Sequence, residues 1–336
     1  MHRCIELAKK GLGNVSPNPL VGAVVVHNNL IIGEGYHQQY GQAHAEVNAI
    51  NSVKDKTLLP ESTLYVNLEP CSHHGKTPPC ADLIITHNIK QVVIGAVDTH
   101  SKVAGKGIQK LQEAGISVTY PVLEKACRLL NKRFYCFHEK KRPYVSLKWA
   151  QTNNGFISPN SDYKSFPFWI TNVKTKILTH TWRAQEDAIL IGRKTAELDN
   201  PNLNCRAVKG NNPTRILIDP ELNSNYKKNT LNKQSKLLVL NKICNSKEFY
   251  SSAILLENLT PKAILQHLFE QDITSVIIEG GTHTLQQFID ANLWDEANIL
   301  LGKNEIKDGL KAPTLPASNF TKTTFDEDQI YTHYPL

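Results

Sequence analysis

The sequence predicts an α/β protein with two domains. Three observations support this prediction: the chain has 336 residues, β-branched runs alternate with helical patterns along it, and the periodicity changes after a charged segment at residues 139–143. A chain of this length usually forms more than one core, and strands that alternate with helices build layered α/β domains. We therefore place one domain at residues 1–142 and a second at residues 143–336. The alternative is that residues 139–143 form a solvated loop within one domain.

The first domain is predicted to begin with a helix and a hairpin. Apolar residues recur at helical spacing over Met1–Gly11 without a long apolar core or cleavage site, so we expect a folded helix and not a signal peptide. This helix lacks an N-cap, which suggests that the true chain begins a few residues earlier. The predicted elements are helix Met1–Gly11, strands Leu20–Val26 and Leu30–Tyr36, helix Ala43–Val53, strand Thr63–Leu68, helix Pro79–Asn88, strand Gln91–Val97, helix Gly105–Ala114, strand Ile116–Thr119 and helix Leu123–Phe137.

The second domain repeats the alternation of strands and helices. Polar, Asn-rich stretches at Asn202–Pro213 and Glu221–Asn232 predict long loops. The predicted elements are strand Val145–Ala150, helix Asn172–Arg183, strands Ala188–Ile191, Arg215–Ile218, Lys236–Leu240 and Ala253–Leu256, helix Pro261–Gln271, strand Ser275–Ile278, helix Thr282–Ala291 and strand Glu296–Leu301.

Composition limits the compartment and the partners. The chain has seven scattered cysteines, which favours a reducing cytoplasm over a secreted disulfide framework, and it has no apolar run long enough to span a membrane. The net charge of +7 lies mostly on the first domain, where 17 Lys and Arg face 11 Asp and Glu. A basic domain can bind nucleic acid or a small phosphorylated substrate. Because no dense Lys/Arg run is interleaved with aromatic residues, we favour the small anion and expect no nucleic-acid partner.

His44, Glu46, Cys71 and Cys80 predict a catalytic zinc site. Zinc in an enzyme takes three protein ligands, commonly His and Cys, and keeps a fourth position for water. His44, Cys71 and Cys80 supply that triplet, and Cys80 lies near a predicted helix N-terminus, which favours thiolate. Glu46 is close enough to move protons without ligating the metal. His-x-Glu followed by Pro-Cys and a second Cys is the pattern of zinc deaminases, although eight residues instead of two separate the cysteines here.

Two other readings of these residues remain open. A closed structural zinc site needs a fourth protein ligand, which His73 or His74 could supply, and the cysteines could also bind no metal. A structural site has no use for a carboxylate beside its ligand, so Glu46 favours the catalytic interpretation.

The motifs around this site carry a family resemblance. The segments Ser16–Gly22 and Glu69–Cys80 resemble the deaminase half of the bifunctional deaminase/reductases of riboflavin biosynthesis. The resemblance implies a cytidine-deaminase-like α/β/α fold and hydrolytic deamination of 2,5-diamino-6-(5-phosphoribosylamino)pyrimidin-4(3H)-one to 5-amino-6-(5-phosphoribosylamino)uracil. In this interpretation Glu46 is the acid/base group, and Asn18 and Lys76 contact the phosphorylated pyrimidine.

In the second domain, a buried strand at Val276–Ile278 runs into Glu279 and the paired glycines Gly280 and Gly281 before a helix. Backbone N–H groups at such a junction can cradle a phosphate, since glycine permits close approach and the helix N-terminus is electropositive. An ordinary turn is the alternative. The glycines do not follow the spacing of a Rossmann fingerprint.

Other segments strengthen the case for a second activity. Six segments of the second domain resemble the reductase half of the same family in their order and spacing. They are Lys148–Ala150, Trp169–Thr171, Arg183–Ala184, Leu198–Pro201, Arg215–Asp219 and Glu279–Gly281. The resemblance implies a dihydrofolate-reductase-like α/β domain that uses NADPH to reduce the ribosyl group to ribityl, and a homo-oligomer, either dimer or tetramer. It implies NADPH contacts by Ala150, Trp169, Thr195, Asp199, Gly281, Thr282, His283, Thr284, Leu285, Gln286 and Gln287. It implies substrate contacts by Arg183, Leu203, Arg206 and Glu279, with Lys148 and Asp199 as groups that handle protons.

The sequence departs from the family at two places. An Asp-Gly normally follows the strand that carries the lysine, whereas this chain has Asn153, Asn154 and Gly155. In the zinc half, Asp-Pro-Asn-Pro is replaced by residues 98–101, Asp-Thr-His-Ser. Both changes put rate or substrate fidelity in doubt without touching the zinc ligands. Two other functions share parts of the pattern: a nucleic-acid deaminase with an accessory binding domain, and a zinc protein without catalysis.

Overall fold

The structure is a computed structural model that describes residues 1–72, 78–99, 105–160, 168–224, 236–244 and 253–336. The chain divides into two compact units, Met1–Lys141 and Arg142–Leu336. Among the described residues, every helix is too short or too polar to cross a bilayer.

The first unit is built on a mixed sheet. Its strands are β1 (Gly22–His27), β2 (Leu30–Tyr36), β3 (Thr63–Leu68), β4 (Gln91–Ala96) and β5 (Ser117–Thr119). Within the described residues these strands form one sheet in the order β2-β1-β3-β4-β5. β1 is antiparallel to β2 and β3, whereas β3, β4 and β5 are parallel to one another.

Helices cover both faces of this sheet. They are α1 (His2–Lys9), α2 (Ala45–Ser52), a short 3₁₀ helix (Lys56–Glu61), α3 (Cys80–Thr86), α4 (Lys106–Glu113), α5 (Glu124–Leu130) and α6 (Lys132–Lys140). Ile50, Ile84 and Leu111 of α2, α3 and α4 pack on one side of the sheet. Ile5 of α1 packs with residues of α5 and α6 in a different cluster, beside Leu68 and Ala96. The two clusters make the α/β/α layers that the family resemblance implied.

One predicted helix of this unit is wrong as a single element. The stretch Leu123–Phe137 forms two helices, α5 and α6, which meet at Asn131. The Asn131 side chain accepts a hydrogen bond from the Leu20 N–H at 2.7 Å and donates one to the Leu20 carbonyl at 2.9 Å. A buried amide that pairs with a distant backbone segment competes with helical geometry at its own position, and helical periodicity does not reveal it.

The second unit has a larger sheet. Its strands are β6 (Tyr144–Gln151), β7 (Phe156–Pro159), β8 (Ala188–Gly192), β9 (Thr214–Ile218), β10 (Leu237–Asn241), β11 (Ala253–Leu255), β12 (Ser275–Ile278), β13 (Glu296–Leu301), β14 (Gly309–Lys311), β15 (Ser318–Phe325) and β16 (Asp328–Pro335). Among the described residues, nine of these strands form one sheet in the order β11-β10-β9-β8-β12-β6-β13-β16-β15, and β7 pairs with β14. The sheet is parallel from β11 to β13, and β16 and β15 continue it antiparallel.

The helices of this unit are α7 (Val173–Gln185), α8 (Arg193–Asp199), α9 (Pro261–Glu270) and α10 (Thr282–Asp290). Leu268, Phe288 and Trp294 are fully buried against Leu147 and Ile278 of the sheet. Since β8, β12 and β6 are parallel neighbours, their carboxyl ends lie side by side. In open α/β sheets this edge is where ligands bind.

Candidate functional sites

The three predicted metal ligands lie together in the first unit. His44 is the N-cap residue of α2, Cys71 follows the end of β3, and Cys80 is the first residue of α3. His44 Nδ1 is 3.3 Å from Cys80 Sγ and 3.6 Å from Cys71 Sγ. The three ligand atoms are all within 4.8 Å of one another. One imidazole and two sulfurs in this arrangement match the donor set of a zinc site with an open fourth position.

The two thiols differ in acidity. Hydrogen bonding by Cys80, followed by that of His44, lowers the pKa of the Cys71 thiol to about 4. The same hydrogen bond, together with burial, raises the pKa of the Cys80 thiol. The Cys80 backbone N–H also donates to Cys71 Sγ at 3.3 Å. The first turn of α3 thus stabilises negative charge on Cys71. The prediction that the helix N-terminus favours thiolate at Cys80 itself is wrong, because burial and the hydrogen bond with Cys71 raise the pKa of Cys80.

Glu46 lies beside the ligands in the first turn of α2. Its side chain is 3% exposed, and it is hydrogen-bonded to the Cys80 side chain. Burial, followed by the charge of Cys71, raises the pKa of the Glu46 carboxyl to about 7. A carboxyl group with this pKa can both accept and donate a proton near neutral pH. The geometry therefore favours the catalytic interpretation of the zinc site.

His37, at the end of the hairpin, is a neighbour of the site that the sequence did not reveal. Its Nδ1–H donates to the Ala43 carbonyl at 3.1 Å, and its ring meets that of His44 edge-on, with centroids 5.5 Å apart. Asn18 Nδ2 donates to His37 Nε2 at 3.1 Å. Burial lowers the pKa of His37, which favours the neutral ring that both hydrogen bonds require. The predicted substrate contact Asn18 is therefore oriented by His37.

Some predicted residues of the first unit fall outside the described ranges. Lys76, His73 and His74 lie in residues 73–77, and His100 and Ser101 lie in residues 100–104.

In the second unit, Glu279 joins two of the other predicted residues. It follows β12, and its carboxylate accepts from Arg183 Nε at 2.6 Å and from Arg183 Nη2 at 2.8 Å. Lys148 Nζ of β6 lies 3.4 Å from the same carboxylate. All three side chains are largely buried. A bidentate pair with a second cation close by fixes the orientation of the carboxylate.

The charged groups of this cluster shift one another's pKa values. Although burial raises the pKa of Glu279, the positive charges of Arg183 and Lys148 outweigh it and lower that pKa to about 2. Burial lowers the pKa of Lys148 even though Glu279 opposes the shift. Glu279 is therefore a fixed anion, and Lys148 is the group of the cluster whose proton is easier to remove than usual.

The loop after α8 carries the other two predicted substrate contacts. Arg206 is exposed, and its Nη1 donates to Asn204 Oδ1 at 2.9 Å. Leu203 has a φ of +51°, and its side chain packs in the core with Ile189 and Leu217. A contact between Leu203 and substrate would therefore use its backbone.

The junction between β12 and α10 brings part of the predicted cofactor set together. A Cβ on Gly280 would come within 2.8 Å of Thr195 Cγ2, and a Cβ on Gly192 within 2.6 Å of Thr284 Oγ1. Gly281 has a φ of +68°, which favours glycine. Gly192 and Gly280 therefore let the backbone pack directly against Thr284 and Thr195 at the N-terminus of α10, and backbone N–H groups at a helix N-terminus suit the phosphates of a dinucleotide.

The other predicted cofactor residues are more widely placed. Trp169 is 58% exposed, with Lys176 Nζ 3.9 Å from its ring centroid. Ala150 is half-buried on β6, and Asp199 is exposed at the end of α8. The remaining predicted residues after Gly281 lie on different sides of α10. Thr282 donates a hydrogen bond to the Lys311 carbonyl, and Gln286 forms hydrogen bonds with Thr314 and Asp290. His283 is exposed, Gln287 is half-buried, and Leu285 is buried in the core.

The structure gives a physical account of Asn154, the departure after β6. Asn154 Nδ2 donates to the Ile306 carbonyl at 2.7 Å, and Asn154 Oδ1 accepts from the Ile306 N–H at 3.2 Å. Oδ1 also accepts from Thr152 Oγ1 at 2.7 Å. An amide satisfies both backbone groups of Ile306, whereas a carboxylate could satisfy only the N–H. Asn154 therefore holds two loops together.

Comparison with known families defines the class of protein. Residues 1–96 match the cytidine and deoxycytidylate deaminase zinc-binding region, and residues 143–302 match the RibD C-terminal domain. The chain is thus a bifunctional enzyme that joins a zinc-dependent deaminase to a dihydrofolate-reductase-like, NADPH-using reductase.

Relatives that match both domains identify the protein family. The riboflavin biosynthesis protein RibD of Aquifex aeolicus is 37% identical over 92% of this chain and 88% of its own length. The RibD of Synechocystis is 36% identical over 94% of this chain and 86% of its own length. The chain belongs to the RibD family of riboflavin biosynthesis, and it acts on a small pyrimidine.

Two solved structures support the same family assignment. The diaminohydroxyphosphoribosylaminopyrimidine deaminase/5-amino-6-(5-phosphoribosylamino)uracil reductase of Thermotoga maritima is 37% identical, with a TM-score of 0.90 over 100% of this chain and 97% of that one. Acinetobacter baumannii RibD is 30% identical, with a TM-score of 0.90 over the same shares. The predicted family, fold class, pair of activities and pair of cofactors are confirmed.

Proposed function

We propose that this enzyme deaminates 2,5-diamino-6-(5-phosphoribosylamino)pyrimidin-4(3H)-one to 5-amino-6-(5-phosphoribosylamino)uracil and then reduces the ribosyl group of that product to ribityl. The observation that carries the proposal is the pairing of a His-Cys-Cys triplet and buried Glu46 in one unit with the Lys148–Glu279–Arg183 cluster in the other. We assign deamination to residues 1–142 and reduction to residues 143–336.

The deaminase residues have separate roles in the proposal. His44, Cys71 and Cys80 would hold zinc, which would supply a water activated as a nucleophile near neutral pH. Glu46 would hold the proton that the attacking water gives up and would return one to the departing amino nitrogen, so that ammonia leaves. Its pKa of about 7 suits both transfers. Asn18, aligned by His37, contacts the ring or the ribosyl group, and Lys76 contacts the phosphorylated substrate.

The reductase residues surround the ribosyl group in the proposal. NADPH supplies the two electrons, and its contacts are the residues named above, from Ala150 to Gln287. Glu279 holds Lys148 in place, and Lys148 donates the proton that accompanies reduction, which its lowered pKa favours. Partial desolvation raises the pKa of the Asp199 carboxyl, so Asp199, at the end of α8, is proposed both as a cofactor contact and as a second group that handles protons.

The phosphate of the substrate is assigned to the arginines. Arg183 donates two of its N–H groups to Glu279, which leaves Nη1 oriented toward the loop that carries Arg206. A guanidinium is a planar donor suited to phosphate oxygens. Arg183 and Arg206, with the backbone of Leu203, form the proposed anion subsite.

We also propose a cytoplasmic homo-oligomer, either dimer or tetramer. All seven cysteines are free, which suits a reducing compartment. The edge strand β15 exposes Phe320 by 56%, and a second copy of the chain could cover it. Analytical ultracentrifugation of the purified protein measures the assembly, and a monomer at micromolar concentration would contradict it.

The function is tested by following the two steps separately. Purified protein is supplied with the diaminopyrimidine nucleotide, and ammonia release and NADPH oxidation are recorded with and without NADPH. We expect ammonia in both cases and NADPH oxidation only after ammonia appears. Ammonia release from an RNA hairpin, with none from the pyrimidine nucleotide, would contradict the proposal.

A further inference from the structure

Asn204 lies in the loop between α8 and β9, and both of its carbonyl oxygens accept hydrogen bonds from other side chains. Its backbone oxygen accepts from His180 Nδ1 at 2.7 Å and from Arg183 Nη1 at 3.4 Å. Its side-chain Oδ1 accepts from Arg206 Nη1 at 2.9 Å. One residue therefore contacts both guanidinium groups of the proposed anion subsite.

We propose that Asn204, held in place by His180, is the positioning residue that aims Arg183 and Arg206 at the phosphate of the reductase substrate. This inference rests on the proposed function, because it deepens the assignment of the phosphate to the two arginines.

His180 is suited to fix Asn204. It lies one turn before Arg183 on α7 and is only 2% exposed. Burial, followed by the positive charge of Arg183, lowers the pKa of His180, so the ring is neutral at physiological pH. A neutral imidazole has a single N–H, and here that N–H is used on the Asn204 carbonyl. This short, partly buried hydrogen bond connects the loop to α7.

The backbone on either side holds Asn204 in one conformation. Leu203, with its φ of +51°, is anchored in the core by its side chain. On the other side, the Cys205 N–H donates to Asn212 Oδ1 at 2.9 Å. A left-handed leucine is strained and persists only where the surroundings determine it. Such a loop presents the Asn204 amide at a fixed place.

The charge and the exposure of Arg206 explain why its hydrogen bond to Asn204 matters. Lys148, Arg183 and Glu279 together carry one positive charge, and Arg206 raises the total to two, which matches the roughly −1.5 to −2 charge of a phosphate monoester. Arg206 is exposed, and ordering a free arginine side chain costs rotamer entropy. Holding one of its nitrogens on Asn204 removes part of that cost before substrate binds.

The test compares substrates with and without the phosphate. Reductase kinetics are measured on 5-amino-6-(5-phosphoribosylamino)uracil and on its dephosphorylated form, in wild type, Asn204→Ala and Arg206→Ala. For Asn204→Ala we expect KM for the phosphorylated substrate to rise about tenfold, equivalent to roughly 1.4 kcal/mol, with kcat unchanged. The kcat/KM for the dephosphorylated substrate should stay within about twofold. Arg206→Ala should act in the same direction and more strongly.

The His180 arm uses a conservative rescue. His180→Phe removes the N–H and should reproduce the KM change of Asn204→Ala, whereas His180→Gln keeps an N–H donor and should restore part of the affinity. The Kd for NADPH, measured by fluorescence, should be unchanged in each variant and so reports intact folding. If His180→Phe loses NADPH binding, Asn204→Ala alone decides the test.

Three results would overturn the inference. A KM rise in Arg206→Ala without one in Asn204→Ala would leave the anion subsite standing and remove the role of Asn204. An unchanged KM in both variants would remove the anion subsite itself, and with it this part of the proposed function. An equal loss on both substrates would show that Asn204 only stabilises the fold.

Discussion

The zinc site and the Glu279 cluster are built from the chain in different ways. His44 and Glu46 lie two residues apart at the start of one helix, and Cys71 and Cys80 are nine residues apart in the sequence. Glu279 instead meets Lys148 and Arg183 across 131 and 96 residues of sequence. The first site is therefore visible as a local motif, whereas the second depends on the order of parallel strands in a sheet.

The two sites also use charge differently. In the zinc site, burial and the nearby sulfur raise the pKa of Glu46 to about 7, so this carboxyl can exchange protons. In the cluster, two cations lower the pKa of Glu279 to about 2, so this carboxylate stays ionised. A buried carboxylate is thus a proton carrier or a fixed anion according to its neighbours.

The largest effect is expected for Cys80→Ser. Replacing one sulfur ligand should release the zinc and lower deamination by at least about 10³-fold. Reduction of the deaminated substrate should be unchanged, because the cluster belongs to the other unit. Zinc content is measured by elemental analysis, and the two reactions are assayed separately. The half-buried Cys244 is the matched control, and Cys244→Ser should keep both zinc and deamination.

A second substitution, Glu279→Gln, should act on the other unit. It leaves the buried Arg183 and Lys148 without their counter-ion and should cost about 3 kcal/mol of unfolding free energy. Since the folded-state pKa of Glu279 is about 2, below that of an unfolded Glu, its stabilisation is complete above roughly pH 5 and is lost as the pH falls toward 2.

The direction of this pH dependence determines how Glu279→Gln is tested. The stability difference between wild type and variant, from denaturant titrations, should be largest at neutral pH and shrink below pH 5. Glu327→Gln removes one partner of an exposed ion pair with Lys303 and should change stability by less than about 1 kcal/mol. A difference that grows with acid would contradict the assignment of Glu279 as an ionised partner.

The smallest effect is expected for Asn154→Asp, which restores the residue usual in the family. The new carboxylate would face the Ile306 carbonyl, so we expect a loss of about 1–2 kcal/mol of stability and no gain in reduction rate. Both positions are exposed, but only Asn154 bonds Ile306 in this way, so Asn153→Asp should be neutral. A faster reductase in Asn154→Asp would show that a carboxylate acts directly at this position.

Much of the fold could be predicted from the sequence, because buried strands have strong periodicity. The ranges predicted for β2, β3, β12 and β13 agree with the structure to the residue. Two of the missed elements lack an apolar pattern: α8 buries only Ala196 among its residues, and β15 is almost wholly exposed. The split at Asn131 was hidden because its cause is a tertiary hydrogen bond to Leu20.

The residues of the two sites could be predicted only in part, because the sequence shows local motifs but not tertiary contacts. Ligand types at motif spacing indicated His44, Cys71 and Cys80, and the structure brings them together. His37 and Asn204 were missed because their role depends on hydrogen bonds to residues that only the fold brings near. Their own sequence context is that of an ordinary loop.

The most direct test of the central claim is the Glu46→Gln variant, assayed for zinc content and ammonia release on the same sample. We predict zinc equal to wild type and deamination lower by about 10²–10⁴-fold, since the amide cannot carry the proton. NADPH oxidation should vanish with the diaminopyrimidine and return when the deaminated product is supplied. Ammonia release at the wild-type rate from zinc-loaded Glu46→Gln would contradict the account.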